Sequence, residues 1–191
     1  MEQLDRSSNE LALSILARAP DLTLATIMEN GLPHASTVSF ASHGLVLFAA
    51  IGIDSQKAHD IRLNPQVAVT INAPYQQWSE IQGLSIGALA EIVSEPDQVR
   101  QASELLLRRF PQLSTVCNTG AIPWPGTLFI RITPKKFSLL NYAEGFGHTS
   151  YHTPDQTSTT STTSAAQGRL NGLYGVIAIF NTPSRWFANS S

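Results

Sequence analysis

Apolar positions recur along this chain in two rhythms. Leu11, Ile15 and Leu16, with Ala12 and Ala19, repeat at helical spacing, which predicts a short amphipathic helix opened by a Ser7/Glu10 capping box and stopped by Pro20. Extended patterns follow over Asp21 to Met28, Pro33 to Ala41 and Leu45 to Ala50. The turn signals Asn30-Gly31 and Ser42-His43-Gly44 separate them, so a three-stranded meander is expected. A second helix should start at Asp54 or Ser55, carry Ala58, Ile61 and Leu63 on its apolar side, and end at Asn64-Pro65. Gln66 to Ala73 alternates like a strand with one buried face. After the loop Pro74 to Ser79, Glu80 to Val93 reads as one long strand, with a bulge or bend expected at Gly83 and Gly87. Ser94, Glu95 and Pro96 open a third helix with Val99, Ala102, Leu106 and Phe110 on one face, closed by Pro111. Thr127 to Ile132 and Lys136 to Asn141 read as two further strands.

Strands in neighbouring runs, rather than in strict alternation with helices, favour an antiparallel barrel over a doubly wound sheet. The fold expected is mainly β with peripheral helices, a barrel of six or seven strands. A length of 191 residues suits one domain with a tail. Domain boundaries are expected at 1–150 for the barrel, 151–169 for a linker and 170–191 for an apolar tail. Residues 157–164 are all Ser or Thr and have nothing large to bury, whereas the tail could dock on a partner or have no role.

Only 14% of residues are charged, against about 25% in an average globular domain. A homo-oligomer interface would account for part of such a surface. The net charge of −2 and the absence of any Lys/Arg cluster speak against nucleic acid and anionic membrane as partners. Cys117 is a single cysteine, best read as packed or incidental, and no Cys/His spacing suggests a metal site. Met1 to Asn9 lacks the basic-then-apolar order of a signal peptide, and no apolar run reaches the roughly 18 residues of a membrane span. A cytoplasmic location is expected.

One segment carries recognisable chemistry. Ser55-Gln56-Lys57-Ala58-His59-Asp60-Ile61, followed by Asn64-Pro65 and Val67-Ala68-Val69, opens a helix directly after a strand. A helix N-terminus offers free N–H groups, Ser55 a hydroxyl and Lys57 a charge, which together could seat a phosphate. The alternative is that Ser55 only caps the helix and Lys57 is a solvated surface residue. The segment resembles the S-x-K-A-H-x-I…N-P stretch of pyridoxamine 5′-phosphate oxidase. The likeness to split-barrel flavoproteins spans about Asp21 to Asn141. Arg108-Arg109-Phe110-Pro111 and Gly145-Phe146-Gly147 resemble a less characterised bacterial branch of that superfamily.

The resemblance implies a split barrel, a homodimer with sites at its interface, and FMN as cofactor. It places FMN-phosphate positions at His34, with Ser36 and Thr37 beside it, and at Ser55, Gln56 and Lys57. The ring-side positions fall on Phe48, Ala49 and Ala50, with Gln82 or Gly83 across from them. The chain departs from the family where His34 replaces an Arg and Gln56 another cation, leaving Lys57 as the fixed positive charge. Ala49 and Ala50 offer only backbone groups there. Ser39 stands at a substrate-phosphate Lys position, and the C-terminal Arg-x-His pair of the oxidase has no counterpart. Pyridoxamine phosphate oxidation is therefore not expected, and the catalytic residues stay unassigned. Two functions remain open: an FMN-dependent oxidoreductase acting on a small molecule, or a non-enzymatic barrel binding another planar ligand (haem, F420) or a protein partner.

Two other groups draw notice. His148 lies beside Gly145-Phe146-Gly147, near Tyr142, Glu144, Tyr151 and His152, and could face a ligand or simply mark a glycine-rich exit from the last strand. Tyr75 and Trp78, on the loop before the long strand, suit a core or an interface better than a stacking site.

Overall fold

The computed structural model describes residues 2–154. Nine strands and four helices follow in the order β1 (Glu2–Gln3), α1 (Arg6–Arg18), β2 (Leu22–Ile27), β3 (Pro33–Val38), β4 (Phe40–His43), β5 (Val46–Gly52), α2 (Gln56–Leu63), β6 (Gln66–Asn72), β7 (Gln82–Ile92), α3 (Pro96–Arg109), α4 (Leu113–Val116), β8 (Thr127–Asn141) and β9 (Thr149–Thr153). The linker and tail expected from the composition lie outside the described residues, apart from 151–154, of which β9 includes Tyr151 to Thr153 and pairs with β8 and β1.

The strands pair in the order β3-β2-β6-β7-β8-β5-β4, all antiparallel, with β9 and β1 added along the second half of β8. The two outer strands of that series, β3 and β4, are consecutive in the chain and separated only by Ser39. The sheet therefore curls until its edges meet at a corner joined by covalent chain rather than by a hydrogen-bonded ladder. That is a split barrel, the form the family resemblance implies for the antiparallel barrel that the strand pattern predicts.

Some local expectations change. Asp5, not Ser7, caps α1, its carboxylate accepting from Ser8 N at 2.7 Å while the Ser7 hydroxyl donates to the same oxygen. The meander is instead two separate hairpins, because β3 pairs with β2, β4 with β5, and β5 turns its other edge to β8. Thr127 to Asn141 is one strand of 15 residues. Pro134 cannot donate to a ladder, and a register shift between Gly87 and Ala88 accommodates it, so the strand bends without ending. Leu63 is exposed, and Asp60 instead joins Ala58 and Ile61 on the buried side of α2.

The larger core fills the barrel with the inward residues of β2, β6 and β7, including Leu24, Val69 and Ile86, and Ile15 and Leu16 of α1 close over it. A second cluster packs Val99, Ala102 and Leu106 of α3 against Phe48 and Phe129. Trp124 sits at its centre, its ring edge-on to Phe129 at 5.0 Å and its Nε1 donating to Ser103 Oγ at 3.1 Å. Arg109 fastens the end of α3 to the end of α1. It donates to the carbonyls of Leu16 and Ala19 and lies 4.5 Å over the Phe40 ring. Among the described residues no helix is long and apolar enough to cross a membrane.

Candidate functional site

The corner where β3 becomes β4 borders a cleft of about 320 Å³, near the lower end of the roughly 300–1,000 Å³ range of small-molecule sites. Thr37, Val38 and Ser39 form one wall and Ala50 to Gly52 another. Leu106, Phe110, Leu113 and Trp124, from α3, α4 and the loop before β8, supply an apolar side. Lys57 lines the same cleft from the first turn of α2, and its ammonium has no hydrogen bond or ion pair among the described residues. Among the described residues no carboxylate lines the cleft, and Lys57 is the charged side chain on its wall. The arrangement can accept an anionic group beside a flat apolar surface.

A buried polar network lies between α2 and the β2–β3 hairpin. Asp60 is 0% exposed. Its Oδ2 accepts from Thr26 Oγ1 at 2.6 Å, its Oδ1 from Gln56 Nε2 at 2.7 Å, and His34 Nδ1 stands 3.5 Å from Oδ2. Burial opposes ionisation of this carboxyl. The hydrogen bonds from Thr26 and Gln56 and the charge of His34 outweigh burial and hold Asp60 below the ordinary carboxylate range. Beside His34 on β3, Ser36 Oγ is buried without a partner, an uncommon state for a hydroxyl.

The residues singled out in the sequence therefore fall into distinct groups. Thr37, Ala50 and Lys57 meet at the cleft. Ser55 caps α2, accepting from Ala58 N while its hydroxyl donates to Gly52 O at 2.7 Å, so it shapes the cleft's floor through Gly52. His34 and Gln56 belong to the Asp60 network. Ala49 is in the core. Phe48 packs in the second cluster under α3. Gln82 stands apart, its amide donating to Asn141 and accepting from Arg18, and Gly83 beside it is buried against Asn72.

Two functional features escape the sequence reading. Asp60 lies about 100° around α2 from Ile61, and Thr26 is 34 residues away in sequence, so nothing local marks it. The wall formed by Leu113, Cys117 and Trp124 comes from residues between α3 and β8, which lack a periodic pattern.

Around Gly145, Asn141, Glu144 and His148 use their polar groups on one another, whereas His152 Nδ1 is buried without a hydrogen-bond partner among the described residues. Asn141 Nδ2 donates to Glu144 Oε1 at 2.7 Å and His148 Nε2 lies 3.2 Å from Glu144 Oε2. Trp78 and Phe146 stack with centroids 6.0 Å apart and stay 68% and 82% exposed. His152 is buried against Phe137, with Nε2 2.8 Å from Ser150 Oγ.

A curled antiparallel barrel, split at one corner and carrying a cleft beside a helix N-terminus, defines the class: a split-barrel protein. The family model described as pyridoxamine 5′-phosphate oxidase matches residues 9–141, and the chain belongs to that family. It is 26% identical over 144 residues to pyridoxine/pyridoxamine 5′-phosphate oxidase 2 of Hydrogenovibrio crunogenus, covering 64% of this chain and 67% of that one. Among solved structures it is similar to a heme-binding protein from Mycobacterium smegmatis, with TM-score 0.66, 19% identity and 78% of this chain covered. The chain spans 59% of that protein's length. It is also similar to HutZ, the heme storage protein from Vibrio cholerae, with TM-score 0.54, 20% identity, 69% of this chain and 90% of that one covered. These likenesses show a shared fold.

Proposed function

We propose that the chain is an FMN-binding protein whose cleft at the β3–β4 corner holds the flavin, and that it acts as an oxidoreductase on a small molecule. The observation that carries this reading is Lys57, an ammonium with no hydrogen bond or ion pair among the described residues, on the wall of a partly apolar cleft that no described carboxylate lines. Lys57 and the first N–H groups of α2 would meet the phosphate. The backbone of Ala50 to Gly52 and the side chains of Phe110 and Trp124 would border the ring. Bound FMN supplies one- or two-electron transfer, while the protein contributes position, charge and exclusion of water.

A homodimer with the sites at its interface fits the outer face of the sheet. Thr37, Thr23, Thr70, Ser85 and Ser138 stand side by side across five strands, next to a row of Ala35, Ala25, Ala68 and Gly87. These two rows are small and neutral, apart from Lys136 at one end, and exposed save for the half-buried Ala25, Gly87 and Ser138, and they run into the cleft through Thr37. A second copy laid on it would cover the cleft mouth and bury little charge.

Haem is the second reading, favoured by the two similar structures whose names include it. Among the described residues no histidine lines this cleft, and Cys117 and Lys57 are the side chains there that could hold haem iron. Absorbance of the protein as purified, followed by titration with FMN and with haemin, separates the readings. Flavin bands near saturation with FMN and weak, unshifted haemin spectra are expected. A colourless protein that leaves FMN fluorescence unchanged contradicts the proposal.

A further inference from the structure

The apolar side of the cleft hangs on a single string of backbone bonds. Phe110 N–H donates to Leu106 O at 2.8 Å, Leu113 N–H to Phe110 O at 3.0 Å and Cys117 N–H to Leu113 O at 2.8 Å. All four residues line the cleft. From Pro111 to Ala121 the remaining hydrogen bonds stay local: Ser114 donates to Pro111 O, Thr115 to Gln112 O and Gly120 to Asn118. Among the described residues none of them reaches the barrel. The wall from Phe110 to Cys117 is therefore placed by Phe110, at the C-terminal end of α3, and by the packing of Leu113 against the second core cluster.

Phe110 is in turn held by its neighbour Arg109. The Arg109 guanidinium donates to the carbonyls of Leu16 and Ala19 at the C-terminal end of α1, where helix carbonyls lack partners and a cation is favoured. The same planar group lies 4.5 Å from the centre of the Phe40 ring and 5.7 Å from that of Phe110. Phe40 is fully buried and directly follows Ser39, so it is anchored beside the opposite wall of the cleft. Among the described residues no carboxylate pairs with Arg109, so two carbonyls and two rings set its place. Arg109 itself does not line the cleft. A lysine could reach one of the carbonyls, but its compact ammonium cannot lie flat against two rings.

We propose that Arg109 is the positioning residue of the cleft's apolar side. It does not touch the ligand; by fixing Phe110 between α1 and the β3–β4 corner, it fixes the wall of Phe110, Leu113 and Cys117 on which a flat ring packs. That the ring is a flavin rests on the reading above, whereas the hold on the wall is a property of the protein without ligand.

Arg109→Lys in the full chain tests this, with urea unfolding to show that the variant is folded. Cys117 is the single cysteine and lies half-buried on the wall, so its rate of reaction with a small thiol reagent reports on the wall in the absence of ligand. That rate is expected to rise about fivefold in Arg109→Lys. Val69→Ala, which weakens the barrel core away from the wall, should leave it unchanged. Riboflavin and FMN affinities should fall in Arg109→Lys by one common factor, about five- to tenfold, because the ring side is loosened and the phosphate side is not. In a Phe110→Ala background, Arg109→Lys should lower riboflavin affinity no further. An unchanged Cys117 rate, or an equal rise in Val69→Ala, overturns the proposal whether or not flavin binds. A loss confined to FMN, or full additivity with Phe110→Ala, overturns it as well. Should Arg109→Lys fail to fold, Phe40→Leu, which takes the anchored ring from beside the guanidinium, is read by the same measurements. If the wild type binds neither flavin, the flavin reading fails and the Cys117 rate alone decides this one.

Discussion

Two regions of this molecule look equally promising as sequence, and the structure treats them in opposite ways. Around Gly145, an aromatic and polar cluster closes on itself. Arg18, Gln82, Asn141, Glu144 and His148 form a continuous chain of contacts. On the other side, Lys57 in the cleft at the β3–β4 corner, and Ser36 Oγ and His34 Nε2 further back on β3, have no partner among the described residues. A cluster of polar residues in sequence is thus a poor guide to a site. Polar groups that the fold positions but does not satisfy are a better one, since each carries a cost that a ligand can relieve.

The largest test of this contrast is on stability. Asp60→Ala takes the carboxylate acceptor from the buried Thr26 hydroxyl and opens a polar gap under α2, and should cost about 2 kcal/mol in urea unfolding. A loss below about 1 kcal/mol would mean that the network relaxes onto other partners. Asn141→Ala, at the centre of the opposite cluster, should cost about 2 kcal/mol and leave FMN affinity unchanged. A change in FMN affinity there would dissolve the distinction between the regions.

Acid gives a finer test. The Asp60 pKa is lowered by folding, so its stabilisation is present above the unfolded-state value and is lost as pH falls through the folded one. The margin of the wild type over Asp60→Asn should be constant above about pH 5 and shrink below the ordinary Asp value of about 3.9. A margin that grows in acid contradicts the sign. The smallest effect is expected for His148→Ala, whose exposed pair with Glu144 is worth at most about 0.5 kcal/mol, with no change in flavin binding.

Much of the fold is legible along the chain because it rests on local signals. The alternation over Gln66–Asn72, the Asn30-Gly31 turn with Gly31 at φ +84°, and the Pro96 start of α3 all act within a few residues. What is not legible is non-local. Which edge of β5 finds β8, and whether Pro134 ends a strand or only bends it, depends on partners tens of residues away. The site divides the same way. Lys57 at the first turn of α2 can be read directly, whereas Asp60 becomes meaningful only when β2 brings Thr26 to it and β3 brings His34. Gln56, a candidate phosphate contact in sequence, spends its amide on that same carboxylate.

The central claim is that the β3–β4 cleft seats a phosphate-bearing flavin through Lys57, and the ratio of FMN to riboflavin affinity tests it most directly. The wild type should prefer FMN by at least about tenfold, and Lys57→Ala should lose about 1.5–3 kcal/mol of FMN binding with riboflavin binding and unfolding unchanged. Equal affinities in the wild type, or a preference for FMN that survives in Lys57→Ala, would contradict it.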